Sequence, residues 1–182
     1  MQPDEKFEAK LAIGRRAERA VARWIMGKGG LILPVYDYSG ADEKKAPKLE
    51  AFSTTDSLVT PDLLVARKGL LSWVEVKWKQ RADEYRKAKS IDTGISRRLW
   101  SQHQHVRTAT GAKVWICFAH QQENVLTCDE IETLQQLQYP GQKEPGPRLY
   151  AGPHMGYYGM VFWPLAKLRP IAKYTELPFE AK

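Results

Sequence analysis

Two carboxylates and a lysine lie close together in one stretch of the chain, residues 60–79, which reads TPDLLVARKGLLSWVEVKWK. Asp62 stands at the head of a first apolar run, and a second apolar run carries Glu75 and Lys77. Between the runs, Lys68-Gly69 is typical of a two-residue hairpin turn. The stretch is therefore predicted to form a β-hairpin with ionisable side chains on both strands.

The register of this hairpin decides whether those side chains meet. With the two turn residues at the tip, Asp62 lies directly opposite Glu75, and opposed side chains share one face of a sheet about 5 Å apart. Lys77 shares that face by strand alternation. Two like charges at this distance destabilise a hairpin unless a cation lies between them or one is protonated. The pattern therefore predicts a metal site, with the Val76 carbonyl as the third protein ligand.

Phosphodiester hydrolysis is the chemistry that such a group of residues could serve. A phosphodiester is anionic, and attack on it adds charge, which a divalent cation offsets while it activates a water. Mg²⁺ needs only one or two carboxylates besides waters and other oxygens, and Mn²⁺ suits similar oxygen ligands. Lys77 could orient or deprotonate the water, or stabilise the developing charge.

The distribution of charge points to a polyanionic partner. The chain of 182 residues carries a net charge of +7, and residues 77–113 alone hold ten Lys or Arg against three acids. A local basic block of this kind favours nucleic acid, although a solvated charged face is the alternative. The candidate DNA-contacting cations, from this block and from the first helix, are Lys79, Arg81, Arg97, Arg98, Arg107, Arg15 and Arg16.

Other features of the composition argue against a membrane or secreted protein. No apolar run approaches the roughly 20 residues that cross a bilayer, and the charged N-terminus lacks the apolar region of a signal peptide. Cys117 and Cys128 are too few for a disulfide framework, and Cys117 is interpreted as a packing residue. The four histidines have no zinc-ligand spacing. A reducing cytoplasm is therefore the expected location.

Hydrophobic periodicity predicts the α/β class, with a mixed central β-sheet flanked by helices. Apolar residues at helical spacing predict one helix over residues 4–28, which bears Glu18, and another over residues 97–110. Strands are predicted on either side of the hairpin and near the end of the chain, at residues 31–38, 114–119, 125–127 and 160–163.

The whole chain, residues 1–182, suits a single domain. Two long segments without clear periodicity are predicted to be loops, a polar one over residues 41–59 and one rich in Gly and Pro over residues 139–159. Shorter helices are expected near residues 83–89 and from a cap at Asp129.

The hairpin and its surroundings resemble the PD-(D/E)XK nuclease superfamily. Pro61-Asp62, a hairpin and then Glu75-Val76-Lys77 match its motif, and Glu18 matches an acidic residue on the first helix of that fold. The resemblance covers about residues 10–119 and implies a restriction-endonuclease-like core. It also implies that Asp62 and Glu75 ligate metal with Val76 and Glu18, and that Lys77 is the catalytic lysine.

Two further positions follow from the resemblance. Tyr38-Ser39-Gly40 is similar to a serine-glycine turn of archaeal-type Holliday-junction resolvases, which makes Ser39 a candidate DNA contact, although the 41–59 insertion separates it from Pro61-Asp62. Relatives often place a polar residue, commonly Gln, on the later helix at the site. Gln102, His103 and Gln104 compete for this role, and Gln104 is preferred because it lies off the apolar stripe.

The resemblance implies a Mg²⁺- or Mn²⁺-dependent DNA endonuclease that acts on duplex or branched DNA, such as Holliday junctions in recombination or repair. It makes a homodimer plausible, and it fits a bacterial, archaeal or phage-encoded protein. The alternatives are a restriction- or repair-type nuclease with another substrate, including RNA, and a non-catalytic DNA-binding module with this fold. A regulatory protein whose basic segment binds an acidic partner is a third interpretation.

Overall fold

The fold is described by a computed structural model for residues 5–34, 48–49, 58–150 and 159–179. Within these residues lie three α-helices, α1 (Glu5–Gly27), α2 (Arg97–Thr110) and α3 (Ile131–Gln136). The strands are β1 (Leu31–Pro34), β2 (Lys48–Leu49), β3 (Leu58–Val59), β4 (Leu63–Arg67), β5 (Leu70–Lys79), β6 (Asp83–Tyr85), β7 (Ser90–Ser96), β8 (Lys113–His120), β9 (Val125–Glu130), β10 (Arg148–Tyr150), β11 (Met160–Pro164) and β12 (Pro170–Ala172). Ser39, most of the 41–59 loop and the end of the predicted 31–38 strand lie outside the described residues.

The described strands form a six-stranded sheet and a four-stranded sheet, besides the short β2–β3 pair. The large sheet has the order β1-β4-β5-β8-β9-β12, and the smaller one has the order β10-β11-β7-β6. The long central strand β5 pairs antiparallel with β4 and parallel with β8. The predicted α/β class with a mixed central sheet is therefore confirmed.

Helix α1 covers one face of the large sheet. Its buried Ala17, Ala20 and Val21 join Val74 and Val76 of β5 in one core cluster. These strand residues alternate with the ionisable residues of β5, so the packing of α1 fixes which way Glu75 and Lys77 point.

Helix α2 and the smaller sheet cover the other face. Trp100 and Val106 of α2 pack with Phe118 of β8 and Trp163 of β11 in a second core cluster. The Trp100 and Trp163 rings meet edge to face, with centroids 5.0 Å apart. The face that carries the ionisable residues of β5 is therefore the one on which α2 packs.

The segment between β5 and α2 differs from its prediction. The expected helix near residues 83–89 is strand β6 followed by a 3₁₀ turn over Arg86–Ala88, and β7 was not predicted. Gly94 lies inside β7, where a Cβ atom would come within 2.2 Å of the Val161 carbonyl oxygen. The glycine marks a close approach of two strands, which local periodicity does not reveal.

A buried ionic cluster ties the Gly/Pro-rich segment to β7. Asp92 accepts hydrogen bonds from the Ser90 hydroxyl (2.8 Å), the Tyr139 hydroxyl (2.5 Å) and the Arg148 guanidinium (2.9 Å). The described part of the predicted 139–159 loop also contains a strand, β10, which pairs with β11.

The predicted cap of the third helix is also wrong. Asp129 belongs to β9, and its carboxylate accepts a hydrogen bond from the backbone N–H of Arg169 at 3.0 Å. The helix begins two residues later, after Glu130.

The two cysteines are joined in a disulfide, which the sequence reasoning did not anticipate. Cys117 of β8 and Cys128 of β9 are directly opposed in the antiparallel pair. Their partnership depends on the β8–β9 register, which the spacing of the two residues in sequence does not give.

None of the described helices is long and apolar enough to cross a membrane.

Candidate active site

The β4–β5 hairpin has the register predicted from its sequence. Leu63 pairs with Val74 and Arg67 with Leu70. Both turn residues have positive φ, 50° at Lys68 and 77° at Gly69, as a two-residue type I′ turn requires. Asp62 is therefore the first residue beyond the paired part of β4.

Asp62 is buried beside β5 and bonds to its backbone. One carboxylate oxygen accepts a hydrogen bond from the N–H of Val76 at 2.7 Å. Burial raises the pKa of Asp62 well above its ordinary value, and the negative charges of Glu75 and Glu18 raise it further. The Lys77 ammonium and the Val76 N–H oppose this shift without cancelling it.

Glu75 lies in the middle of β5 with only 2% of its surface exposed. One carboxylate oxygen pairs with the Lys77 ammonium, and the other lies 3.0 Å from Nε2 of His103. Burial alone would raise the pKa of Glu75, but Lys77 and His103 together lower it to about 2. Of the two carboxyl groups, Glu75 therefore loses its proton more readily than Asp62.

Lys77 is held as a cation. Burial alone would lower its pKa, but the charges of Glu75 and Asp62 raise it above the ordinary lysine value. Its side chain keeps 33% of its surface exposed, so it can still approach a bound molecule. The charged state suits stabilisation of negative charge and disfavours the role of a general base.

Glu18 reaches this group of residues from α1. It is half-buried, and its charge raises the pKa values of both Asp62 and Lys77. It also lines a cavity of about 240 Å³ at the edge of the sheet, together with Ile32 of β1 and Leu63 of β4. The structure therefore brings Glu18 into electrostatic contact with the hairpin.

His103 is the residue of α2 that contacts Glu75. It is completely buried, on the same helical stripe as the buried Val106. Ser96 caps the start of this helix, because its hydroxyl accepts a hydrogen bond from the N–H of Leu99 at 3.2 Å.

The sequence prediction preferred Gln104 over His103 and Gln102 as the polar residue of this helix at the site, but the residue that contacts Glu75 is His103. Gln104 lies half-buried on the neighbouring face of α2, and its role stays a prediction. The sequence feature that could have identified His103 is its position as a polar residue on an otherwise apolar helical stripe. A buried imidazole needs a buried polar partner, and Glu75 was the acid already expected on the facing strand.

The donor atoms suit a divalent cation, although the described residues contain no cluster of three or more His, Cys, Asp or Glu side chains placed to hold a metal ion. The observation that supports the fit is geometric: two buried carboxyl groups, those of Asp62 and Glu75, act on each other's charge beside the Lys77 ammonium. Carboxylates of Asp62 and Glu75 with a backbone carbonyl form the oxygen-rich set that Mg²⁺ prefers. Asp62, Glu75, the Val76 carbonyl and Glu18 are the residues that would hold it.

The predicted DNA-contacting residues fall into different environments. Arg16, Arg81, Arg97 and Arg98 are exposed, whereas Arg15 and Lys79 are half-buried. Arg107 is engaged within the protein, because its guanidinium pairs with Glu132 and donates to the Gly111 carbonyl at 2.9 Å.

Comparison with known proteins identifies structural relatives only. No protein-family model and no curated protein sequence matches the chain. Among solved structures it is similar to Hjc, a Holliday junction resolvase from the archaeal hyperthermophile Archaeoglobus fulgidus, with 11% identity, a TM-score of 0.51, and coverage of 87% of this chain and 97% of that one. It is also similar to D212, a nuclease from a fusselovirus, with 12% identity, a TM-score of 0.46, and coverage of 93% and 89%. The likeness to Hjc shows that the chain has a Holliday-junction-resolvase-like nuclease fold, as the sequence resemblance implied.

Proposed function

We propose that this protein is a divalent-metal-dependent endonuclease that hydrolyses phosphodiester bonds in DNA, with branched DNA such as four-way junctions as its substrate class. The observation that carries the proposal is the group on one face of the sheet formed by the buried carboxyl groups of Asp62 and Glu75 and the partly exposed ammonium of Lys77. The resolvase-like fold supports the same activity.

Each residue of the group has a distinct role. Asp62 is held in place by the N–H of Val76, so one of its oxygens is oriented before any ligand arrives. Glu75 is fixed at both oxygens by Lys77 and His103. A bound Mg²⁺ or Mn²⁺ would supply positive charge at the phosphate and make its water a better nucleophile.

Lys77 supplies a permanent positive charge next to the reacting phosphate. Its raised pKa keeps it protonated throughout the physiological range, so it binds a phosphate oxygen and stabilises charge that develops there. A proton from the attacking water must then pass to another acceptor, and the exposed part of the site leaves solvent as that acceptor.

Cleavage of labelled four-way junction, flap, duplex and single-stranded DNA with Mg²⁺ or Mn²⁺ tests the proposal. The wild type should cut at least one substrate, preferentially the junction, and EDTA should abolish cutting. Asp62→Asn should lower the rate by at least 10²-fold, because it removes a charge but keeps the side chain's shape. The matched control is Asp83→Asn, an exposed acid outside the group, which should retain full activity.

Two outcomes would contradict the proposal. If the wild type cuts no substrate under any metal condition, the protein is not an endonuclease. If Asp62→Asn cuts at the rate of Asp83→Asn, the activity belongs to another site.

A non-catalytic DNA-binding module is the second candidate. The observation that favours it is the Lys77–Glu75 ion pair, which already provides one carboxylate with a cation. Such a module would bind the junction with the usual salt dependence but show no metal-dependent cutting.

We propose that the protein acts inside the cell, where its DNA substrate is found. We also propose that it acts as a homodimer. Two active sites related by a two-fold axis would suit paired cuts in a symmetric junction. Sedimentation equilibrium with and without junction DNA measures the assembly separately from the activity.

A further inference from the structure

Nine of the ten cations of the basic segment, residues 77–113, separate into two groups in the structure, and the tenth, Lys79, is half-buried. Lys77, Arg107 and Lys113 each form an ion pair, with Glu75, Glu132 and Glu130 respectively. Within the part of the chain that the structure describes, a second group of exposed cations forms no such pair: Arg81, Arg86, Lys87, Lys89, Arg97 and Arg98. Half of this second group, Arg81, Arg86 and Lys89, gathers around one groove.

This groove lies between the β6–β7 hairpin and the turn that joins β8 to β9. Its volume is about 440 Å³. Besides the three cations, its lining includes Glu84 and Glu123 and the exposed Ile91. Glu123 is partly used within the protein, since its carboxylate accepts the N–H of Ala82 at 2.8 Å.

The walls of the groove are held together by backbone hydrogen bonds. The N–H of Gln121 donates to the Lys79 carbonyl at 2.9 Å, and the N–H of Gln122 donates to the Gln80 carbonyl at 3.0 Å. With the Ala82–Glu123 bond, these contacts join the end of β5 to the β8–β9 turn. The groove is therefore formed before any ligand binds, which lowers the entropic cost of binding.

The groove lies close along the chain to the candidate active site. Lys79 lies on the same side of β5 as Glu75 and Lys77 by strand alternation. Arg81 follows two residues later, so it lies within about 14 Å of Lys77 along the chain at 3.4 Å per residue. That distance corresponds to about four base pairs of duplex DNA.

We propose that this groove, lined by Arg81, Arg86 and Lys89, binds the sugar-phosphate backbone of the substrate several nucleotides away from the bond that is cut. The inference rests on the proposed function for its substrate class, and it adds a second binding site to the active site. Such contacts fix the register of the nucleic acid and carry no sequence information.

The two carboxylates in the lining favour an extended polyanion over a small free anion. A single phosphate deep in the groove would meet Glu84 and Glu123 as well as the cations. A backbone that passes along the groove can place successive phosphates beside Arg81, Arg86 and Lys89 in turn. Inorganic phosphate at millimolar concentration is therefore expected not to compete with DNA.

The experiment measures binding rather than cleavage. Fluorescence anisotropy of a labelled four-way junction, in EDTA and over a range of NaCl, gives the affinity and its salt slope. The groove variant is Arg81→Gln/Arg86→Gln/Lys89→Gln, and the control is Lys28→Gln/Arg67→Gln/Lys143→Gln, which removes three exposed charges outside the groove. Circular dichroism confirms that both variants fold.

The groove variant should bind at least tenfold more weakly than the control at 100 mM NaCl. Its slope of log K against log salt should fall by about 2 to 3, since each phosphate contact contributes about 0.9. Equal affinity and slope for the two variants would overturn the inference, even if the wild type cuts DNA. A wild type that cuts nothing but shows the groove-dependent slope would remove the proposed function and leave the groove as a DNA-binding site.

Discussion

Substituting Lys77 with Met tests the electrostatics on which the candidate site depends. The substitution removes the ammonium but keeps an unbranched stem of similar length, so the packing beside β5 changes little. Glu75, which is 2% exposed, then loses the cation that pairs with one of its oxygens. An unpaired buried carboxylate must either remain charged at a cost or take up a proton.

The size of the effect follows from the pKa of Glu75. Lys77 is the largest of the influences that lower this pKa from 4.5 to about 2, and at 1.36 kcal/mol per pKa unit the full shift corresponds to about 3 kcal/mol. His103 shares in this lowering of the pKa and burial opposes it, so the net shift sets only the scale of the Lys77 contribution. We therefore expect Lys77→Met to lower the free energy of unfolding at pH 7 by about 2 to 3 kcal/mol.

The loss should depend on pH in a defined direction. A folded pKa below the unfolded value stabilises the protein above pH 4.5, and this stabilisation disappears as the pH falls towards 2. The difference between wild type and Lys77→Met should therefore be less than half as large at pH 3 as at pH 7. Addition of Ca²⁺ at pH 7 should restore stability to the variant more than to the wild type, because the vacated carboxylate becomes available to the ion.

Urea unfolding in EDTA, at pH 7 and pH 3, measures these differences. Lys113→Met is the matched control, because Lys113 also pairs with a glutamate but is 51% exposed. An exposed pair contributes at most about 1 kcal/mol. Equal losses for the two variants at pH 7, or a loss for Lys77→Met that is the same at both pH values, would refute the reasoning.

Two further substitutions test the buried histidines. His103→Leu should lower the rate of DNA cleavage 10- to 100-fold and raise the Mg²⁺ concentration needed for half-maximal activity, because it frees one oxygen of Glu75. Gln104→Ala should leave both quantities unchanged, and the opposite pattern in a Mg²⁺ titration would restore Gln104 as the functional residue. Burial, with a contribution from Lys79, lowers the pKa of His120 to about 4, so the unfolded chain binds a proton below pH 6.5 that the folded chain does not. Between pH 6.5 and pH 4, the free energy of unfolding of the wild type, measured in urea, should therefore fall by up to about 3 kcal/mol. The free energy of unfolding of His120→Gln should fall distinctly less. Parallel plots of this free energy against pH for the two proteins would contradict the reasoning.

Local patterns were sufficient to predict the hairpin and the helix that packs on it. The turn residues Lys68-Gly69 fix the register without reference to the rest of the fold, so Asp62 and Glu75 could be brought together from sequence alone. Helix α2 has the predicted bounds, residues 97–110, because Ser96 caps its start and Gly111 ends it with a positive φ of 67°.

Features that depend on distant strands could not be read in the same way. The β6–β7 hairpin looks locally like a charged, glycine-broken segment, and only its pairing with β11 makes a strand of it. The disulfide depends on the β8–β9 register, and the contact between His103 and Glu75 depends on the angle at which α2 crosses the sheet. In each case the structure depends on a contact with residues far away in the sequence, which hydrophobic periodicity within a short segment does not reveal.

The charge balance at the hairpin explains why stability alone would not produce this site. Burial of Asp62 is the main reason that its pKa is raised, and the negative charges of Glu75 and Glu18 raise it further. A protein selected only for stability would replace Asp62 with a neutral residue that still accepts the N–H of Val76, at no electrostatic cost. A carboxyl group at position 62 is expected if a divalent cation binds at the site during function. The cation would then be attracted by the charge of Asp62, which is unfavourable in its absence. The stability of Asp62→Asn in EDTA distinguishes these explanations: it should equal or exceed that of the wild type, and the addition of Mg²⁺ should reverse the order.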